Sequence, residues 1–569
     1  MVWGSPDIEC SRCSRSADIM QSLFGENKRE TPEAIKTEIQ GEIPKWLQGV
    51  LIRNGPGMHK IGDTVYNHWF DGLSLLHSFT FENGEVFYRS KYLQSDTYKR
   101  NIEANRIVVS EFGTMAYPDP CKNIFSKAFS YLAHAIPDFT DNCLINIIKY
   151  GDNFYASSEV NYIRRIDPRS LDTLEKVDYA DYVPLNLATS HPHYDGNGNS
   201  YNIGTSIAEK GKTKYLIVKV PTIKPDDKNA CFKNCEIFCS IPCRSLLSPS
   251  YYHSFGMTEN YIIFLEQPFK LDILKLASAY FRGINWASCL GWHPKEKTYI
   301  HIIDRKTKKA VPMKFYTDAL VVYHHVNAYE ENNHVLIDII AYEDNSLYEM
   351  FYLANMKLSD NEFQEKGKSF KLPQCRRFVI PLDIDKNTET GTNTVRLHGT
   401  TAQALKEQDG QVYCTPEILF EGVELPRINY NYNGKKYRYI YASRVQWKPI
   451  PTKVGVHIYI MFFFVELHFM GVCFPFGIKL SFCNKRFCKC WKSRVAHTTW
   501  WKNSAFCMSV SAIRWYAVCV LLQSLSRRFL LCRLELGPEF SFQCYCSFIF
   551  AAMLYEWKWT LLVIPLRTD

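Results

Sequence analysis

The amino-acid sequence predicts an all-β fold, a β-propeller, and three observations carry the prediction. Short β-runs joined by tight-turn dipeptides recur from about residue 40 to 445, long amphipathic helical patterns are rare, and 15% of all residues are aromatic. Many short antiparallel strands spread over roughly 400 residues favour a propeller over a sandwich, because only radial repetition absorbs that length without long open sheet edges. At 569 residues the chain is also too long for one ordinary core.

Turn signals mark the hairpins in chain order. Residues 75–81 and 85–92 flank Asn83-Gly84, the favoured hairpin dipeptide. Residues 144–150 and 154–158 flank Gly151-Asp152-Asn153. Asp195-Gly196-Asn197-Gly198 precedes a run at 201–203, Asp409-Gly410 precedes 411–414, and Asn433-Gly434 precedes 435–442. Apolar runs at 261–266 and 335–342 read as strands between these turns. One helical segment stands apart. Residues 119–136 place Ile124, Phe125, Ala128, Phe129 and Leu132 on one face with Lys122 and Lys127 beside it. Such a segment either packs on the sheets or dips into a membrane surface to collect a lipophilic substrate.

Charge and cysteine divide the chain. The formal net charge is +9, but residues 451–569 hold 14 Lys+Arg against 5 Asp+Glu, which leaves 53 against 53 for residues 1–450. The first four fifths are neutral, which argues against a nucleic-acid partner. Nine of the 20 cysteines and six of the 12 tryptophans fall in the last stretch. Residues 454–476 are nearly unbroken apolar sequence, long enough to span a bilayer, yet His457, Glu466 and His468 make that costly. The residues beyond 476 are rich in Cys, Trp and Arg, without alternation or hairpin turns. Residues 451–569 therefore read as foreign to the fold, as read-through or an alternative exon would be. The first 20 residues lack the apolar core of a signal peptide, so a cytosolic protein with reduced thiols is expected. Cys231, Cys235, Cys239 and Cys243 are evenly spaced. They lack the longer loop that closes a zinc site, so they read as unligated thiols.

Three of the 16 histidines stand in comparable contexts. His191 opens HPHYDGNGNSYNIG before a turn and a strand, and His253 begins a strand–turn–strand unit. His324 is expected at the end of an apolar strand. Roughly 60–70 residues, about one propeller blade, separate each from the next. Inner-strand ends at that spacing would project three imidazoles toward a common axis. Neutral nitrogen ligands there suit iron(II) and leave positions open for dioxygen. The same spacing also suits histidines that simply hydrogen-bond their neighbours.

The motifs RNGPGMH (53–59), YNHWFDG (66–72), YRSKYLQSDTY (88–98), SHPHYD (190–195), YYHSFGMTENY (251–261), YHHVNAYE (323–330) and VELPRINY (423–430) decide between these readings. Through them the chain resembles, from about residue 20 to 450, the animal carotenoid cleavage oxygenases, the family that includes the retinoid isomerohydrolase of the eye. The resemblance implies a seven-bladed β-propeller, incomplete at its C-terminal end, with a few short helices capping one face. It divides the chain into an extension at 1–19, the propeller at 20–450 and the aberrant tail at 451–569. It implies one Fe(2+) held by His191, His253 and His324, which match three of the family's four ligand histidines; His193 and His325 do not match ligand positions. Glu159 and Glu424 match carboxylates that accept the outer ring N–H of a ligand. Tyr251 and Tyr342 match aromatics of a substrate tunnel whose ring faces stabilise an electron-poor polyene. The implied reaction joins a carotenoid with O₂ and cuts the central double bond of β-carotene into two retinals, giving a place in vitamin A metabolism. Retinyl ester isomerohydrolysis and eccentric cleavage are the alternatives within the family, and a catalytically impaired or merely carotenoid-binding form is a further one. After residue 453 the family pattern breaks. A further carboxylate, an acidic turn and a closing His-Gly that supplies the fourth ligand are expected and absent. His398-Gly399 has the letters but lies upstream of that place. Poor folding or weak iron binding is the resulting expectation.

Overall fold

The computed structural model describes residues 29–116, 140–209, 211–222, 230–356, 370–385 and 387–444. It also describes isolated positions between 358 and 366 and three short strands after residue 516. The segment 119–136 and the apolar stretch 454–476 lie outside the described residues. The fold is all-β and propeller-like, and the helices among the described residues are short, such as Asp96–Glu103, Ile273–Ala277 and Ser346–Met350.

Mostly chain-consecutive strands build sheets one after another, antiparallel except where Phe315–Thr317 pairs in parallel with Val412–Thr415. In the first, Gly49–Met58, Leu73–Glu82 and Glu85–Tyr92 lie side by side, with Thr31–Lys36 on the outer edge. The second runs through Asn146–Tyr150, Asn153–Ser157, Tyr162–Ile166 and Thr173–Asp178. The third joins Leu187–Ala188 and His193–Tyr194 to Ser200–Glu209, Lys212–Val220 and Glu236–Pro242. The fourth contains Gly256–Met257, Tyr261–Glu266, Thr298–Asp304 and Phe315–Thr317. It is extended by Val412–Thr415 and Gln403–Lys406. The fifth contains Val321–Glu331, His334–Tyr342, Gln374–Pro381 and Glu417–Glu421, and Val423–Arg427 pairs with Tyr441–Arg444 beyond it.

Successive sheets pack face to face, which explains why so many strands are continuous apolar runs. Ile262, Phe264 and Ile303 of the fourth sheet bury against Tyr201, Ile203, Tyr215 and Ile217 of the third. The alternate residues Ile263, Leu265, Ile300 and Ile302 bury against Val335, Ile337 and Ile339 of the fifth. With both faces covered there is no polar face for the sequence to show. Second and third sheets meet through Ile148, Tyr155, Leu216 and Val218, and first and second through Val50, Ile52, Phe154 and Ala156. Burying each such side chain contributes about 1.5–3 kcal/mol.

The turn chemistry is borne out at four places and corrected at one. Asn83 and Gly84 both have positive φ, 51° and 86°, and Glu82 pairs directly with Glu85, as a two-residue hairpin with both central residues left-handed requires. Tyr150 pairs with Asn153 across Gly151-Asp152. Asp195 closes its turn by accepting the N–H groups of Asn197 and Asn199, and Gly410 has a φ of 80° between Gln403–Lys406 and Val412–Thr415. Asn433-Gly434, expected to make a hairpin, instead ends the short 3₁₀ turn Tyr430–Tyr432. The strand Tyr441–Arg444 starts only after a longer loop. The reason is Asn327, whose amide donates to the carbonyls of Tyr432 and Lys435 and whose oxygen accepts the Gly434 N–H. One buried side chain thereby satisfies backbone that a hairpin ladder would otherwise have taken. In the tail, Ala517–Leu521 pairs with Leu530–Glu535, which in turn pairs with Glu38–Gln40, where the sequence carries no hairpin signal.

Candidate metal centre

The chain near the start of each of the three later sheets delivers one histidine to the same point. His191 lies immediately before His193–Tyr194 in the third sheet, and His253 shortly before Gly256–Met257 in the fourth. His324 lies inside Val321–Glu331 of the fifth, not at a strand end as the sequence suggests. The register slips on both sides of it, between Val322 and His324 and again between His325 and Asn327. Such irregularities re-aim a side chain without ending the strand. The ring centroids of His191 and His253 are 4.8 Å apart, those of His253 and His324 5.2 Å, and those of His191 and His324 6.1 Å.

One nitrogen from each ring lies within 4.8 Å of the others, and among the described residues no other His, Cys, Asp or Glu group is so placed. Imidazole nitrogens bound at about 2.0–2.2 Å to one ion lie at most roughly 4.4 Å apart, so these three need only a slight contraction to share a cation. The four evenly spaced cysteines form no such group, and their thiols make no disulfide.

Carboxylates stand behind two of the rings. His253 Nδ1 is hydrogen-bonded to Glu159, and His324 Nδ1 meets Glu424 Oε2 at 2.6 Å. Because a carboxylate can only accept, each Nδ1 carries the proton and each Nε2 keeps its lone pair. Glu159 follows Asn153–Ser157 of the second sheet, and Glu424 lies in Val423–Arg427. Chain order is therefore repeated in space: Glu159, His191, His253, His324 and Glu424 come from successive sheets. Glu424 also accepts the backbone N–H of Leu425 at 2.5 Å, and Leu425 has a left-handed φ of 55°. A leucine there costs about 1–2 kcal/mol, so the carboxylate is seated by strained backbone. Burial pushes the Glu424 carboxyl up, yet His324, the Leu425 N–H and the Tyr342 hydroxyl together hold it below its usual range.

Tyr251 and Tyr342 reach this centre by their hydroxyls. Tyr251 donates to Glu159 at 2.9 Å, and Tyr342 donates to Glu424 Oε1 at 2.8 Å. Burial, then the adjacent carboxylate, raises both phenols well above their ordinary value and keeps them donors. Sequence reasoning missed the ring at the middle of this wall. Tyr348 has its ring centroid 5.1 Å from Tyr323, 5.4 Å from Phe112 and Phe269, 5.8 Å from Phe70 and 5.9 Å from Tyr251. The carbonyl of Tyr348 meets His68 Nε2 at 2.9 Å, which ties the wall to the first sheet. Phe70 and Tyr323 sit in motifs already singled out, but nothing in their spacing marks them as neighbours. His193 and His325, set aside as ligands, turn elsewhere: His193 Nε2 donates to the Phe255 carbonyl, and His325 Nδ1 meets Ser254 Oγ at 2.9 Å.

Comparisons with known proteins fit this geometry. Residues 24–460 match the family described as retinal pigment epithelial membrane protein. The chain is 67% identical over 438 residues to the β,β-carotene 15,15′-dioxygenase of Gallus gallus, covering 77% of this chain and 82% of that one. It is 41% identical over 425 residues to the mitochondrial carotenoid-cleaving dioxygenase of Mustela putorius furo, covering 73% and 77%. Among solved structures, cobalt-substituted Synechocystis ACO superimposes with a TM-score of 0.55 at 20% identity, covering 76% of this chain and 79% of that one, a likeness of fold. The chain belongs to the carotenoid oxygenase family, that of the retinal pigment epithelial membrane protein.

Proposed function

We propose that this chain is a non-haem iron(II) dioxygenase that cleaves the central double bond of β-carotene with O₂ into two molecules of retinal. The single observation that carries the reading is the cage of three imidazoles, two of them backed by carboxylates. Central over eccentric cleavage is supported by the identity to the dioxygenase named for the 15,15′ position, 67%, against 41% to the carotenoid-cleaving relative.

His191, His253 and His324 hold the metal in this reading. Three neutral nitrogen donors suit iron(II), and they leave open positions beside an apolar wall. Bound there, iron would supply the activation of dioxygen. Glu159 and Glu424 hold the protons on the outer nitrogens of His253 and His324, which fixes the tautomer and raises the basicity of the inner ones. Tyr251 and Tyr342 keep those carboxylates in place through their hydroxyls. With Tyr323 and Tyr348 their rings exclude water and offer electron-rich faces to a polyene. The family fold of seven blades, the boundaries at residues 19 and 450, and a cytosolic location with peripheral membrane contact through 119–136 belong to the same proposal.

A second reading is favoured by one observation: the family match ends at residue 460, so 109 residues of the 569 fall beyond it, and no His-Gly closing motif is found there. With its fourth ligand missing, the chain would bind carotenoid but turn it over poorly. Purified full-length protein supplied with iron(II), β-carotene and O₂ separates the readings. Retinal formed in proportion to bound iron, and lost in His253→Ala, supports the dioxygenase. Carotenoid bound without oxygen uptake supports the impaired form. Retinol released from retinyl esters, with no retinal formed from β-carotene, would point to isomerohydrolase chemistry, and absence of both iron and carotenoid binding would defeat the proposal.

A further inference from the structure

His68 stands outside the histidine cage, wholly buried just before the 3₁₀ turn Trp69–Asp71. Both of its ring nitrogens are committed. Nδ1 accepts the Phe70 N–H at 3.1 Å, so the ring proton sits on Nε2, which donates to the Tyr348 carbonyl at 2.9 Å. Burial holds its pKa down to about 4, so the imidazole is neutral and its two partners fix the tautomer. One side chain therefore caps the turn that carries Phe70 and grips the helix Ser346–Met350 that carries Tyr348.

Backbone bonds hold this grip in a tight frame. The Trp69 N–H donates to the Phe351 carbonyl at 2.8 Å and the Leu353 N–H to the Asn67 carbonyl at 2.7 Å, on either side of His68. A third stretch of chain is seated by close approach. A Cβ on Gly113 would lie 2.3 Å from the His68 Cβ, so a residue without one is required. Asp71 fastens that stretch by accepting the Gly113 N–H at 2.9 Å. The neighbouring Phe112 ring then lies 5.2 Å from His68, and the Phe70 ring 4.7 Å from it. Phe70, Phe112 and Tyr348 thus come from three separate stretches and are referred to one imidazole. Tyr348 is one ring away from the candidate ligands, since Tyr323 lies 5.1 Å from it and 6.2 Å from His253.

We propose that His68 is a positioning residue that holds Phe70, Phe112 and Tyr348 in one register and so selects which double bond of the polyene is cut. The inference rests on the dioxygenase reading and names what fixes its regiochemistry. Neighbouring double bonds of a conjugated chain are nearly alike in reactivity, so the choice between them lies in where the chain is held. A misplacement of about 1 Å can cost a reaction about 10²-fold. Each cleavage consumes one O₂ and leaves one aldehyde oxygen on each fragment, so a shifted chain gives two aldehydes of unequal length.

Two variants of the full chain, loaded with iron(II) and supplied with β-carotene and O₂, separate the two bonds. His68→Asn keeps an acceptor for the Phe70 N–H but cannot reach Tyr348. His68→Gln reaches Tyr348 with its amide and gives up the cap. Each loses one hydrogen bond, so a merely structural role predicts similar melting temperatures and the same product from both. The positioning role predicts aldehydes of unequal length from His68→Asn, with central cleavage slowed about tenfold or more. His68→Gln should be slowed less and keep retinal as its product. Gly113→Ala, which drives Phe112 off His68 while both ring bonds remain, should shift cleavage likewise and serves where His68→Asn fails to fold. Should the wild type bind β-carotene without cutting it, induced circular dichroism of the bound polyene replaces product analysis, changed in His68→Asn and retained in His68→Gln. Retinal as the sole product of His68→Asn and Gly113→Ala, or the same aldehyde mixture from His68→Asn and His68→Gln, overturns the assignment alone. A wild type that neither binds nor cuts carotenoid sinks the dioxygenase reading, and the assignment with it.

Discussion

Replacing Glu424 by Gln changes one atom and tests how the cage is held. In the wild type, Oε2 accepts from His324 Nδ1 at 2.6 Å and from the Leu425 N–H, while Oε1 accepts from Tyr342. A glutamine can keep its oxygen toward His324 and Leu425, but its NH₂ then faces the Tyr342 hydroxyl, whose hydrogen loses its buried acceptor. The His324 bond also falls from charge-assisted, about 1.5–3 kcal/mol, to neutral, about 0.5–1.5 kcal/mol. Orphaning the tyrosine hydrogen costs about 1–3 kcal/mol more, and that part falls on folding as well as on metal. Loss of such a partner typically weakens metal binding 10–100-fold, about 1.4–2.7 kcal/mol. Iron retained during dialysis against graded chelator, measured alongside thermal unfolding, gives both quantities. Tyr342→Phe is the control. It removes the phenol but leaves the carboxylate charge on His324, so it should lower stability with less than tenfold loss of iron. Glu424→Gln with wild-type iron affinity would refute the claim that the carboxylate tunes the ligand.

Three further outcomes are expected at other residues. Burial raises the Asp71 carboxyl from 3.8 to about 7, although Gly113 and Thr114 donate to it. The folded protein therefore keeps a proton there that the unfolded chain releases; this stability is full below about pH 4 and is lost as pH rises to about 7, roughly 4 kcal/mol in all. Asp71→Asn should flatten the fall in melting temperature between about pH 4 and pH 7, and equal slopes in variant and wild type would contradict this. Asn327→Ala removes the side chain that gathers Tyr432, Gly434 and Lys435. It should cost about 1–3 kcal/mol and speed amide exchange at Gly434, whose donor loses its acceptor. Ile337, fully buried between the fourth and fifth sheets, should cost about 2–5 kcal/mol when cut to alanine, read from denaturant midpoints at unchanged slope.

Much of the scaffold could be read in advance because its signals are local. Asn83-Gly84 encodes its hairpin within two residues, and the runs at 261–266 and 335–342 are strands in the structure, Tyr261–Glu266 and His334–Tyr342. The three histidines were legible through the family motifs that carry them, because their spacing alone suited ordinary hydrogen-bonded histidines as well, and His324 lies inside its strand and not at the end. Asn433-Gly434 was not, since its backbone partner is Asn327, 107 residues away from Gly434 in sequence. The bulges around His324 left no trace in the apolar run that contains them. For Tyr251 and Tyr342 the family resemblance suggested ring faces toward substrate, while the structure adds hydroxyls committed to Glu159 and Glu424. Tyr348 escaped because its neighbours Phe70, Phe112 and Phe269 come from distant parts of the chain: a 3₁₀ turn, a loop and a short strand. Proximity of that kind arises only when sheets have already stacked.

A ring of ligands donated by separate sheets has a consequence for how the molecule comes apart. His191, His253 and His324 share no sheet, so no single hairpin can retain the cage once its neighbours separate. Ion loss should then coincide with global unfolding, and not with fraying of any one strand. The ion would act as a sensor of long-range order, and mutations at sheet contacts far from the axis would shorten its residence time.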